Sequence, residues 1–171
     1  MGITETLVEY LAIFPPAVGT IILAALPIGE LRVGLPVALL VYKMPVGQAF
    51  VLSLIGNMLP VYFLLLFFER ASEYARLKSP AIDRFLAKLI DRTQRKLGRQ
   101  VDDYGVWALA AFVAVPLPVT GAWTGVLAAF VFGLSKPKAS LAIFLGLIVS
   151  ASIVTALTLG TSFTVKALLG L

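Results

Sequence analysis

Apolar residues run along this chain in long blocks, and what distinguishes them is where they are cut. Val46 to Phe68 is a run of 23 residues without a charge, about 35 Å of helix at about 1.5 Å per residue, enough to cross a hydrocarbon core of about 30 Å. A second run extends from Ala139 to Val165, just before Lys166. Both predict transmembrane helices. The other apolar stretches are shorter: about eleven residues between Pro16 and Pro27, nine between Gly34 and Tyr42, eleven between Gly105 and Val115, and thirteen between Gly121 and Gly133. A span needs about 20 residues, so none of these reaches across alone.

The short stretches come in pairs that meet at proline and glycine clusters. These are Pro27, Gly29, Gly34 and Pro36 in the first pair, and Pro116, Pro118, Gly121 and Gly125 in the second. Two half-length helices joined by irregular backbone predict a re-entrant hairpin, with those residues at its tip. Irregular backbone is tolerated at membrane depth only where protein or water covers it. Leu7 to Leu26 is itself long enough to cross if Pro15 and Pro16 merely kink it; the expectation is an interfacial helix over Thr6 to Phe14 that leads into the hairpin.

The pairs are also related in sequence. Shifted by 91 positions, LPIGELRVGLPVAL (26–39) lies over LPVTGAWTGVLAAF (117–130), matching Leu26 with Leu117, Pro27 with Pro118, Gly34 with Gly125 and Ala38 with Ala129. Each is followed by a basic residue, a proline and then a long span. The expected fold class is therefore an all-α polytopic membrane protein with two inverted repeats, each a re-entrant helical hairpin plus a transmembrane helix. Inverted repeats with broken helices are a recurrent transporter design. The whole chain, 1–171, would be one membrane domain, with repeat one at 16–68, a cytoplasmic amphipathic helix and loop at 69–104, and repeat two at 105–165.

Composition agrees with this pattern: 60% of the residues are hydrophobic and 13% charged. The net charge of +5 is concentrated, since nine of the 14 Lys and Arg lie between Glu69 and Tyr104. A mixed-charge loop beside apolar spans follows from the positive-inside rule, so the loop is expected in the cytoplasm of a cell-membrane protein and the basic pI implies no nucleic-acid partner. Ser79 and Pro80 make a helix start there, and Ile82, Phe85, Leu86, Leu89, Ile90 and Leu97 recur at helical spacing, a face for membrane lipid or, alternatively, for a docked partner. Glu5 and Glu9 stand where a secretory signal would carry basic residues, so the first segment is expected to be retained. With no cysteine and no histidine, thiolate and imidazole catalysis and the usual transition-metal ligand sets drop out, and no cofactor or metal is expected.

Candidate chemistry lies where polar groups interrupt the apolar blocks. Glu30 and Arg32 stand in the first hairpin, where a charge at membrane depth costs several kcal/mol by insertion scales, about 2.5–3.5 at a helix centre. Either they pair with each other and cap the broken backbone, or Glu30 is a proton or cation site and Arg32 an anion site. The second hairpin has no charge but offers Thr120, Trp123 and Thr124. Asn57, beside Gly56 and Pro60, is either glue between helices or part of the same polar site. Ser152, Thr155, Thr158 and Ser162 share one side of the last span and suggest packing against a neighbour. A substrate or ion site of Glu30, Arg32, Asn57, Thr120, Trp123 and Thr124 is expected near the midplane. The tips offer no evident nucleophile with a base, so an enzyme is not expected.

GELRVGLPVAL followed far downstream by PLPVTGAWTG resembles the two signature segments of the small multidrug export proteins, over most of the chain. That resemblance implies export of small molecules, and a proton-coupled secondary transporter that uses Glu30 is the function expected. The paired hairpins also resemble the DedA (VTT) membrane proteins, whose members move lipid phosphates. The resemblance implies a lipid-phosphate flippase as an alternative, with polyprenyl phosphate or phospholipid as substrate. VAVPLPVTGAWTG lacks that family's arginine-bearing segment, so Arg32 would hold a phosphate alone. A non-transporting membrane scaffold is the third reading, and so small a chain leaves room for a homodimer.

Overall fold

A computed structural model describes residues 13–78, 84, 88, 101–117 and 121–169. All regular structure among them is helical: α1 (Pro16–Ala25), α2 (Glu30–Pro36), which continues as a π turn over Val37–Val41, α3 (Val46–Lys78), α4 (Val101–Ala114), α5 (Ala122–Phe132) and α6 (Lys136–Leu169). Two of these are long and apolar enough to cross a membrane, over Val46–Ala71 and Lys136–Thr161. The remaining apolar helices are of half length, as the spacing of the prolines predicts.

Local chemistry sets the ends. Pro16 opens α1 with its ring-fixed φ, and the carbonyl of Pro15 takes the amides of Val18 and Gly19 at 2.9 and 3.0 Å. Leu26 turns extended, at ψ 140°, because the ring of Pro27 disfavours helical backbone in the residue before it. The break is short: Glu30, at φ 47°, already opens α2, and its amide donates to the Leu26 carbonyl at 2.9 Å. The first tip is thus residues 26–29. Gly34 and Pro36, expected at the tip, lie inside the second limb, and Gly125 likewise lies inside α5.

The second limbs of the two pairs end alike. Lys43 (φ 51°) and Gly133 (φ 69°) both adopt the left-handed conformation that terminates helices. Past Gly133 the amide of Leu134 returns to the Ala129 carbonyl, five residues back. Past Lys43 the amide of Met44 returns to the Ala38 carbonyl, six back, and that of Tyr42 to Val37, five back. The π turn therefore holds one residue more than an α turn would. It also explains a change of register: Ala38 matches Ala129 at a shift of 91, whereas Lys43 matches Gly133 at 90.

The described residues form two compact units, those within 1–59 together with 147–171 and those within 60–146, so that the division falls inside both long helices. In the first unit Leu31, Leu35, Ala38 and Leu39 of α2 pack with Ala49 of α3 and with Ala151 and Val154 of α6, while Met44 and Phe50 flank them. A Cβ at Gly56 would stand 2.4 Å from the Ile21 carbonyl oxygen, and one at Gly34 would stand 3.0 Å from Ala24. In the second unit a Cβ at Gly146 would stand 2.6 Å from the Ala110 carbonyl oxygen, and Gly125 and Gly146 both press on Val113. Phe68 and Phe130 meet there at 5.5 Å between ring centres, and Lys136 pairs with Glu69.

Burial repeats with these contacts. Positions 49, 53, 57 and 61 form a buried stripe on α3, and positions 139, 143, 147 and 151 form one on α6, shifted by 90. On the short helices 31, 34, 35 and 38 are buried, as are 122, 125, 126 and 129, shifted by 91.

α3 outruns its apolar core. α3 continues past Phe68 to Lys78, because Glu69–Lys78 contains good helix formers and neither proline nor glycine. Residues 1–12 lie outside the described residues, and with them most of the expected interfacial helix; Ile13 and Phe14 form a turn before α1. Of the expected amphipathic helix only Arg84 and Lys88 are described, both helical and exposed.

Candidate functional site

Three of the six expected site residues belong to the first unit: Glu30 and Arg32 on the first turn of α2, and Asn57 on α3. Glu30 is half-buried in left-handed backbone, a conformation that costs a residue with a Cβ about 1–2 kcal/mol. The cluster Pro27, Ile28, Gly29 ahead of it is what forces the chain to reverse there. Arg32 is half-buried too, and the Glu30 carboxylate acts on it electrostatically. Both polar groups therefore stand at the break between two half-length apolar helices. Ile28 beside them is exposed.

Asn57 is fully buried, and neither its amide oxygen nor its amide nitrogen has a hydrogen-bond partner among the described residues. Helix glue would need such a partner, and Asn57 has none there. The Ser53 hydroxyl, one turn earlier on the same stripe and fully buried, also lacks one. A buried polar group left unpaired costs about 1–3 kcal/mol, so this pair marks a place where the first unit is not optimised for packing. At the positions 90 further on, Ile143 and Leu147 are buried and apolar.

Ser53 was not singled out in the sequence, since hydroxyl residues are ordinary in membrane helices; its signal was its place four residues before Asn57. Thr20 was likewise missed. It is buried and donates to the Pro16 carbonyl at 2.8 Å, with Met44 Sδ at 3.6 Å. The Tyr42 hydroxyl, which a Cβ on Gly19 would approach to 2.8 Å, is a further buried group without a partner among the described residues.

Trp123 and Thr124 belong to the second unit, and Thr120 lies outside the described residues, as does Pro118. Trp123 is half-buried on the first turn of α5. The Thr124 hydroxyl accepts the Gly121 amide at 2.9 Å and lies 3.3 Å from the Gly121 carbonyl, so it serves the start of the helix. Along α6 the hydroxyls of Ser152 and Thr155 donate to the carbonyls of Ile148 and Ala151 of their own helix, and of the four residues expected to pack against a neighbour Thr158 is buried while Ser152 is exposed. The side chain of Ser162 is not described.

Among the described residues no group of three or more carboxylates, histidines or cysteines is gathered to hold a metal. Comparison with curated proteins and with solved structures returned no match. Comparison with family models did: residues 30–153, from Glu30 on the first turn of α2 to Ile153 in α6, match one over most of the chain. With two helices fit to cross a bilayer and this match, the chain is a membrane protein and belongs to the family described as "Putative small multi-drug export protein".

Proposed function

We propose that the protein is a small secondary exporter in which Glu30 carries the coupling proton and Arg32 sets the charge of the site around it. The observation that carries this is the placement of an acid and a base on the first turn of α2, where half-length apolar helices break. A carboxyl that gains and loses a proton changes its cost of burial each time, so a protein that moves can couple one conformation to each state. Membership of the export family points the same way and favours transport over catalysis.

The architecture proposed for this work is two inverted repeats, each a re-entrant hairpin followed by a span. Its support is the recurrence of buried positions at shifts of 90 and 91, the paired left-handed terminators Lys43 and Gly133, and the limb lengths. Ten residues of α1 give about 15 Å, half the hydrocarbon core. The protein is proposed to reside in the cell membrane, with the basic segment 69–104 inside and lipid against its exposed apolar faces. Two copies would enlarge the enclosed volume.

The test is transport by the purified protein in liposomes, with ethidium as probe and an imposed pH gradient. Wild-type protein is expected to move ethidium against a counterflow of protons, and Glu30→Gln to stop both. Normal transport by Glu30→Gln would remove the mechanism. Arg32 at the same break favours one further reading, a carrier of lipid phosphates. In that case Arg32→Lys abolishes headgroup movement, because an ammonium does not reproduce a bidentate guanidinium contact.

A further inference from the structure

We infer that Ser53 and Asn57 line a solvated polar site inside the first unit, built for a neutral group that both donates and accepts a hydrogen bond. Three side-chain atoms argue for it. Asn57 Oδ1, Asn57 Nδ2 and Ser53 Oγ are buried without partners among the described residues, on consecutive turns of one face of α3. Between them in sequence lies Gly56, whose carbonyl receives no helical hydrogen bond from position 60, because Pro60 has no N–H to give. Polar groups so gathered in an apolar setting call for a partner.

The inventory of groups selects the partner's chemistry. Asn57 offers an acceptor and a two-hydrogen donor, and Ser53 offers one of each. A bare cation would satisfy the oxygens but face the amide hydrogens; an anion would do the reverse. Water, a hydroxyl, a carboxamide or a protonated carboxyl meets both. The fold itself does not demand polarity here, since the corresponding stripe on α6 carries Ile143 and Leu147 at these positions and is equally buried. Two sources fit this chemistry, an internal water or the polar part of a transported molecule. Only the second rests on the transport proposal.

The chain has no cysteine of its own, so Ser53→Cys, Asn57→Cys, Ile143→Cys and Leu147→Cys can each be made singly in the full-length protein in liposomes. Thiols react as thiolates, which need water. A solvated site predicts that 2-aminoethyl methanethiosulfonate labels positions 53 and 57 at least tenfold faster than 143 and 147. Slowing of that labelling by added chloramphenicol, a neutral molecule with hydroxyls and an amide, assigns the site to the transported molecule. Fast labelling that chloramphenicol leaves unchanged assigns it to water. Equally slow labelling at all four positions overturns the inference. A second variant guards against disturbed folding: Asn57→Leu, which puts at 57 the residue type found at 147, is expected to melt no higher than the wild type, because it removes a group paired with the site's occupant. A raised melting temperature, the relief of an amide buried without any partner, also overturns the inference. Wild-type protein that moves no ethidium sinks the transport proposal and leaves the labelling contrast to decide the site.

Discussion

Gly56→Ala would add one methyl group at the closest backbone approach in the first unit. The new Cβ would stand 2.4 Å from the Ile21 carbonyl oxygen and 2.9 Å from both Ile21 Cα and Ala24 Cβ. Ordinary carbon–oxygen contact begins at about 3.3 Å, so α1 must retreat from α3 by roughly 1 Å. The obstacle is helix backbone and cannot rotate aside. Such overpacking costs about 1–3 kcal/mol, against a gain of about 1 kcal/mol when alanine replaces glycine in a helix. At Gly160 a Cβ meets nothing within 4 Å, so Gly160→Ala keeps the gain without the cost. The two variants should differ by about 1–3 kcal/mol, Gly56→Ala being the less stable. Thermal unfolding in mild detergent reads this as a gap of several degrees, at about 2–4 °C per kcal/mol for a chain of this size. Gly146→Ala, 2.6 Å from the Ala110 carbonyl oxygen, should behave as Gly56→Ala does. If Gly56→Ala melts with Gly160→Ala, the close contact of the first limb is wrong.

Two other outcomes follow from single positions. Glu30 holds left-handed backbone at φ 47°, where a glycine pays no Cβ penalty, so Glu30→Gly should be more stable than Glu30→Ala by about 1 kcal/mol; equal melting temperatures would refute the strained tip. The Glu69–Lys136 pair is partly exposed, so a double-mutant cycle with alanine at both positions should give a coupling of at most about 1 kcal/mol that shrinks with salt. A larger, salt-insensitive coupling would contradict its exposure.

Much of the helical layout was legible in the sequence, because α3 and α6 carry long uncharged runs and Pro27 and Pro116 end the helices before them. What hydrophobicity could not mark was the continuation of α3 past Phe68 as far as Lys78, since it reports the membrane and not the helix. Glycine misled in a specific way: Gly34 and Gly125 read as breaks, yet they serve close packing within helices, and a lone sequence does not distinguish the two uses. Pro36 read as a tip residue for the same reason, and the π turn after it has no sequence signature. The shift of 91 was visible; its change to 90 was not, because it arises from that one extra residue. Glu30, Arg32 and Asn57 stood out as polar groups among apolar ones. Ser53 did not, since only its place on a buried stripe distinguishes it from any serine in a membrane helix.

Accessibility of the first hairpin tip tests the proposal of an internal transport site most directly. Single cysteines at Ile28, which is exposed beside Glu30, and at Val119, 91 positions on, are labelled from each side of the membrane with an impermeant thiol reagent. The transport account predicts that they react from opposite faces, or through one cavity that closes when ethidium is added. Cysteines sealed from both sides under every condition would show the tips to be packed structure and contradict it.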